Sequence, residues 1–214
     1  MALDFEYAFK YMFFDQKCWR KLLWGGLAFF FPPLLCGYFL EMVRKVILGE
    51  DINLPDWSEW KRYIRIGFKV ILISLIYLLP AVVMSAGGIV CSYFLFSSFS
   101  PSIFSVIGII DFLFILMAFL SFLWALVMLP VVLADFAYTQ DWKDVVKYKR
   151  TLGNITANLQ EYLYTVFNSW AIGIVILVVA FPILPWSFFY FLTISAELYG
   201  QFYEEWILLG GAFS

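Results

Sequence analysis

Long uncharged stretches alternate along the chain with short segments in which its charges collect. No Asp, Glu, Lys or Arg occurs from Leu22 to Leu40, from Val70 to Ile110, from Phe112 to Ala134 or from Tyr162 to Ala196. An α-helix rising ~1.5 Å per residue needs about 20 apolar residues to cross ~30 Å of hydrocarbon. The pattern therefore predicts four embedded segments, at about 22–43, 66–95, 103–134 and 169–199. A short apolar run could equally be a buried soluble helix or strand. The uncharged run from Val70 to Ile110, broken by Asp111 alone and then resumed to Ala134, excludes that reading.

The intervening polar segments carry aromatic residues beside basic ones, the pattern of helices at a membrane surface. Interfacial helices are expected at about 4–14, 57–65, 142–150 and 155–167. In the first, Phe5, Ala8, Phe9, Met12 and Phe13 share a face, and Glu6 and Lys10 pair four residues apart. The cluster Lys17, Trp19, Arg20, Lys21 and Trp24 marks the boundary at which the first embedded segment enters. Gly49 should stop that segment's helix. Asp56, three residues before Glu59, reads as a capping box for a helix bearing Trp57, Trp60, Arg62 and Arg65. Trp142 and Lys143 sit in the same way after Asp141. The fold class is an all-α, polytopic integral membrane bundle, read as a single domain over residues 1–214.

The outer two segments differ from the middle pair. Proline lacks a backbone donor and clashes with the preceding turn. Pro32 and Pro33 should break or kink the first segment, and Pro182 and Pro185 the last. Phe31-Pro32-x-Leu34 and Phe181-Pro182-x-Leu184 repeat one pattern 150 residues apart. Segment one is either a kinked span or a re-entrant hairpin, and segment four is open to the same two readings. In the middle pair, Ser85, Gly87, Gly88 and Ser92 form a small-residue surface on which another helix can pack closely.

Charge placement bears on topology. Of the 14 Lys and Arg residues, four precede segment one, six lie between Arg44 and Lys69, and four lie between Lys143 and Arg150. A hairpin in segment one would bring all of them to one face, as the positive-inside rule prefers. The expected location is a prokaryotic cytoplasmic membrane with the basic loops cytosolic. The opening residues lack the basic, apolar and small-residue order of a signal peptide, so segment one is expected to be retained. The composition, 64% hydrophobic and 14% charged, agrees with embedding, whereas a soluble domain carries roughly 25% charged residues.

The absence of histidine removes the commonest metal ligand and the usual base for Ser and Cys nucleophiles. No cofactor, metal site or catalytic residue is assigned, and the chain is not expected to be an enzyme. Three scattered cysteines do not make a disulfide framework. Asp111 is the one carboxylate within an apolar run, where a charge must pair, protonate or face a cavity. Glu41, Asp135 and Glu197 stand at segment edges, as local ion-pair or interfacial groups.

Three stretches, DFEYAFKYMFFDQKCWRKLL, GYFLEMVRKVILGEDINLPDWSEW and FKVILISLIYLLP, together with Gly200, Gln201 and Tyr203, resemble the membrane family catalogued as domain of unknown function 4013. The strongest local match is Gly37, Tyr38, Leu40, Gly49, Leu54, Pro55, Asp56 and Trp57. The resemblance implies a multi-helix bacterial or archaeal membrane protein and carries no catalytic residues with it.

Two functional readings follow. Small-solute or ion transport would run past Asp111 and the breaks at Pro32, Pro33, Pro182 and Pro185. A membrane scaffold, or a lipid- or partner-binding protein, would instead use Trp57, Trp60, Arg62, Arg65, Trp142 and Lys143. The expected partners are membrane lipids, and a membrane protein or a second copy of the chain, with no nucleic acid.

Overall fold

The computed structural model describes residues 4–50, 53–97, 101–141, 156 and 159–206. The elements are α1 (Phe5–Lys10), a 3-10 turn (Tyr11–Phe14), α2 (Cys18–Ala28), α3 (Pro32–Ile47), a 3-10 turn (Trp57–Glu59), α4 (Trp60–Ser97), α5 (Pro101–Thr139), α6 (Leu159–Val179), a 3-10 turn (Phe181–Ile183) and α7 (Leu184–Trp206). The protein is all-α and multi-span. Four helical stretches are long and apolar enough to cross a membrane: Trp57–Phe94, Ile107–Thr139, Leu159–Val179 and Phe181–Glu204.

Two of these hold the expected segments at about 66–95 and 103–134, and the outer two stretches are divided differently. The stretch 22–43 is divided by the turn at Phe29–Phe31 into α2 and α3, each too short to span. Pro32 and Pro33 take the first two positions of α3, where a missing N–H costs no hydrogen bond. The stretch 169–199 is divided at Phe181–Ile183, and the helices that carry its two parts extend beyond it, to Leu159 and to Trp206, so that each is long enough to span. The helix expected at 57–65 is not separate, because no breaker strong enough to end it lies between Arg65 and Val70. A short turn leads straight into α4, which continues through Pro80 to Ser97. Likewise the second half of the helix expected at 155–167 is the beginning of α6. The helix expected at 142–150 lies outside the described residues.

The chain forms two compact units, residues 1–71 with 130–214, and residues 72–129. In the first, α7 is the central helix, packed by α3, α6, α2 and α1. Every residue from Thr193 to Leu198 is buried, as expected for a helix surrounded on all sides. The N-terminal region runs antiparallel to α7. The Asp4 N–H donates to Gln201 Oε1 at 3.1 Å, Ala8 packs with Ile194 and Leu198, and the Tyr190 hydroxyl donates to the Phe9 carbonyl at 2.9 Å. Next, α2 lays Gly25 and Gly26 against Phe189 and Trp186. After Phe29–Phe31 the chain reverses, and α3 returns alongside α7, from Tyr38 beside Phe189 to Val46 against Gly200. The start of α1 and the end of α3 thus both lie beside the last turns of α7. On another side, Ser169 of α6 is hydrogen-bonded to Ser195 at 3.0 Å.

Helices α3 and α4 meet backbone to backbone. A Cβ at Gly37 would stand 1.8 Å from the Tyr63 carbonyl oxygen, and one at Gly67 would stand 1.6 Å from that of Pro33. Only glycine permits this approach. Gly49, at φ +58°, ends α3 in the left-handed conformation.

In the second unit, the last half of α4 packs on the first part of α5. Phe114 fills the space above Gly87, and Gly88 faces Asp111, Phe114 and Ile115. Most other side chains described in this unit are apolar and exposed, including Ile89, Val90, Phe112 and Phe119, as suits helices bathed by hydrocarbon.

Candidate functional site

The site begins in the seven residues from Asp15 to Lys21, before and within the first turn of α2. Asp15 folds its carboxylate over the chain that follows it, accepting the Lys17 N–H at 2.7 Å. Its other oxygen takes the Lys21 ammonium at 2.6 Å. Lys21 is only 7% exposed and also donates to the Leu54 carbonyl, so this one cation ties α2 to the link ahead of α4. Burial works to raise the Asp15 carboxyl. Its hydrogen bonds from Lys21 and the Lys17 amide, with the charge of Lys21, outweigh that and hold it below the usual carboxylate range.

The opposite wall is the turn that opens α4. Trp57 is stacked on Tyr38 of α3, ring centroids 4.1 Å apart and planes 9° from parallel. The Tyr38 hydroxyl donates to the Pro55 carbonyl at 2.9 Å, and the Tyr63 hydroxyl to the Asp56 carbonyl at 2.7 Å, so the two carbonyls just ahead of the turn are held. Between the walls lies a cleft of about 640 Å³, lined by Lys17, Arg20, Lys21, Trp24, Leu34, Asp56, Trp57, Ser58 and Trp60. Its chemistry is basic and aromatic.

Charge in the cleft is not cancelled internally. Lys21 is matched by Asp15, but among the described residues neither Lys17 nor Arg20 has a carboxylate within ion-pair distance. Asp56 also stays unpaired there. The capping box expected of it does not form: its side chain makes no cap hydrogen bond, and Glu59 turns to Arg62 at 2.9 Å instead. The tight 3-10 turn at Trp57–Glu59 displaces the geometry a capping box requires.

Of the residues predicted for lipid or partner contact, Trp57 and Trp60 line this cleft. Arg62 is engaged elsewhere, donating to Glu41 at 3.0 and 3.2 Å and to Glu59, with Arg44 3.6 Å from Glu41. Arg65 is exposed outside the cleft lining, and Trp142 and Lys143 lie outside the described residues. The residues not foreseen as site members are Lys17, Arg20, Lys21, Trp24, Leu34, Asp56 and Ser58. The signal for most was present, since the 17–24 cluster has the same basic and aromatic character as 57–65.

The residues of the suggested transport path are divided. Pro32 and Pro33 open α3, Pro182 sits in the 3-10 turn before α7, and Pro185 lies in the first turn of α7. The two breaks are neighbours, with Phe29 edge-on to Phe188 at 5.4 Å. Asp111 belongs to the other compact unit. There the Ser92 hydroxyl donates to Asp111 Oδ2 at 3.0 Å, and Oδ1 is buried with no hydrogen-bond partner among the described residues. Ser85 donates to the Ala81 carbonyl of its own helix, 2.8 Å away. Of the edge carboxylates, Glu41 is met by arginines and Asp135 by the Tyr203 hydroxyl, whereas Glu197 accepts from Gln201 at 3.0 Å through Oε1 and its Oε2 is buried with no hydrogen-bond partner among the described residues. Among the described residues no group of three potential ligands is placed to hold a metal ion.

Comparison with known proteins agrees with the membrane architecture and assigns no activity. A stretch of 42 residues is 33% identical to Transmembrane protein 120A-A of Danio rerio, covering 20% of this chain and 12% of that protein's length. No solved structure matches the chain. The model of a family described as "Protein of unknown function (DUF4013)" matches residues 22–184, from α2 to the start of α7 and including Trp24, Leu34, Asp56, Trp57 and Trp60 of the cleft. With about three quarters of its length matched, this multi-pass membrane protein belongs to the DUF4013 family of proteins of unknown function.

Proposed function

We propose that the protein binds lipid headgroups at the membrane surface, through the cleft between α2 and the turn that opens α4. The observation that carries this reading is the pairing of two uncompensated cations, Lys17 and Arg20, with three tryptophans, Trp24, Trp57 and Trp60, around one cavity. Phosphate is held by Lys and Arg through charge-assisted hydrogen bonds. Tryptophan settles at headgroup depth, where its ring is in the apolar layer and its N–H is wet; Trp24 and Trp60 are exposed in this way, whereas the Trp57 N–H is buried with no hydrogen-bond partner among the described residues. The cleft also lies just before the point where α4 loses its charges, at Val70.

The same reading assigns the basic loops to the cytosolic face of a prokaryotic cytoplasmic membrane, with α2 and α3 as a re-entrant pair. The reversal at Phe29–Phe31 supports it, as do the start of α1 and the end of α3 beside the same turns of α7. The headgroups taken would then be those of the inner leaflet.

Reconstitution tests it. Lys17→Ala and Arg20→Ala together should weaken binding of phospholipid to the detergent-purified protein by at least tenfold, read by native mass spectrometry or by tryptophan fluorescence. Lys69→Ala, an exposed cation away from the cleft, should not. Equal losses in the two variants would remove the cleft from consideration.

A second reading, passage of a proton or small ion, draws on the unpartnered Oδ1 of Asp111. In sealed vesicles Asp111→Asn would then abolish a flux that wild type shows. No flux in either rejects it.

A further inference from the structure

Resting on the headgroup reading, we infer that the cleft selects a zwitterionic aminophospholipid, of the phosphoethanolamine type, over a purely anionic one. The wall that carries Lys17 and Arg20 is cationic, whereas the facing turn carries the Asp56 carboxylate, and the two charges do not pair. A site for phosphate alone gains nothing from a carboxylate in its lining. A like charge there would repel a second anionic group on the ligand. A ligand with a phosphate at one end and a primary ammonium at the other meets both charges.

Asp56 is also available for this use. It is exposed, and the usual task of an aspartate at this position, capping the following turn, is not performed by its side chain. Its backbone carbonyl instead accepts the Tyr63 hydroxyl, which keeps the residue fixed in place, while the carboxylate has no ion-pair partner among the described residues. A primary ammonium donates hydrogen bonds to a carboxylate, and a quaternary one has none to donate. The carboxylate therefore separates phosphoethanolamine from phosphocholine as well as from phosphoglycerol. Tryptophan alone would not make that distinction, since its face accepts either cation.

The test uses the full-length protein in nanodiscs, or in detergent titrated with lipid, and compares phosphatidylethanolamine, phosphatidylglycerol and phosphatidylcholine. Wild type should favour phosphatidylethanolamine over each of the others by roughly threefold to fivefold, the size of one exposed ion pair. Asp56→Asn, which keeps the backbone carbonyl bond to Tyr63, should erase that preference and leave phosphatidylglycerol binding equal or stronger. An unchanged ratio in Asp56→Asn, or a wild-type preference for phosphatidylglycerol, would overturn selection by Asp56 while the headgroup reading stood. Failure of the Lys17→Ala, Arg20→Ala pair to weaken any lipid would overturn both. Soluble glycerophosphoethanolamine should compete only far above the lipid's concentration. Equal potency would make a free phosphodiester, and not a membrane lipid, the ligand.

Discussion

Trp57 lies flat on Tyr38, and this contact joins the turn ahead of α4 to the middle of α3. Tyr38 is fully buried, edge-on to Tyr63 at 5.5 Å and tilted against Phe189 at 5.6 Å, so one ring gathers the link, α3, α4 and α7 around itself. The position of the cleft wall thus depends on a residue that does not line the cleft. Tyr38→Phe keeps the stack and loses the hydrogen bond to Pro55, a cost of about 1 kcal/mol. Tyr38→Ala removes the stack as well and should cost about 3–5 kcal/mol. Thermal unfolding of both variants in detergent gives the order, and a cleft wall set by Tyr38 predicts weaker lipid binding in Tyr38→Ala than in Tyr38→Phe.

The crossing of α3 and α4 at Gly37 and Gly67 admits no side chain. Either Gly37→Ala or Gly67→Ala forces the backbones apart and should destabilise by about 1–3 kcal/mol or more. The two together should cost less than the sum of the singles, because the first already separates the helices. Gly49→Ala meets no neighbour within 4 Å and should lose only the ~1 kcal/mol of a left-handed alanine. Thermal midpoints of the four variants check this, and full additivity would count against a shared crossing.

Asp15 makes stability depend on pH. Its folded carboxyl is held below the unfolded value, so its contribution is complete above the ordinary carboxylate range and is lost as pH falls through the folded value. The melting midpoint should drop in acid, and Asp15→Asn should flatten that drop while lowering stability at neutral pH. Lys21→Met, which leaves Asp15 buried without its cation, should cost about 3–5 kcal/mol at neutral pH. A Lys21→Met protein that becomes relatively more stable as acid neutralises Asp15 would identify the pair as the cause.

The hydrogen bond from Ser92 to Asp111 is a modest link between α4 and α5. Ser92→Ala should cost about 0.6 kcal/mol, the mean for such bonds within membranes. Gly87→Leu, by contrast, meets the Phe114 ring, which lies 2.7 Å from a Cβ there, and should cost about 1–3 kcal/mol. Unfolding in mixed micelles distinguishes the two.

Sidedness is accessible by labelling. With Cys18, Cys36 and Cys91 replaced, a cysteine introduced as Glu50→Cys and another ahead of Asp4 should react with an impermeant maleimide from the same side of a vesicle. Labelling from opposite sides would make α2 and α3 a crossing and not a re-entrant pair.

Hydropathy alone was enough to read this as a multi-span helical protein, because an uncharged stretch of 20 or more residues has few other stable environments. It also marked where helices must stop: Gly49 and the Pro32-Pro33 start of α3 follow from backbone chemistry that acts within a few residues. Local pattern was less able to tell one helix from two. The stretch 22–43 has the hydropathy of a span, yet it holds a reversal, because helix length is set by what each face can pack against. The cleft shows the same division. Both its clusters, the basic and aromatic 17–24 and the aromatic 57–60, stand out in the chain, and Asp56 resembles an ordinary cap. That the clusters face each other, that Lys21 is consumed by Asp15, and that Asp56 is left free were decided by the tertiary structure. The meeting of the two clusters depends on contacts, Lys21 with Leu54 and Tyr38 with Trp57, between residues far apart in sequence, and no local periodicity encodes such a meeting.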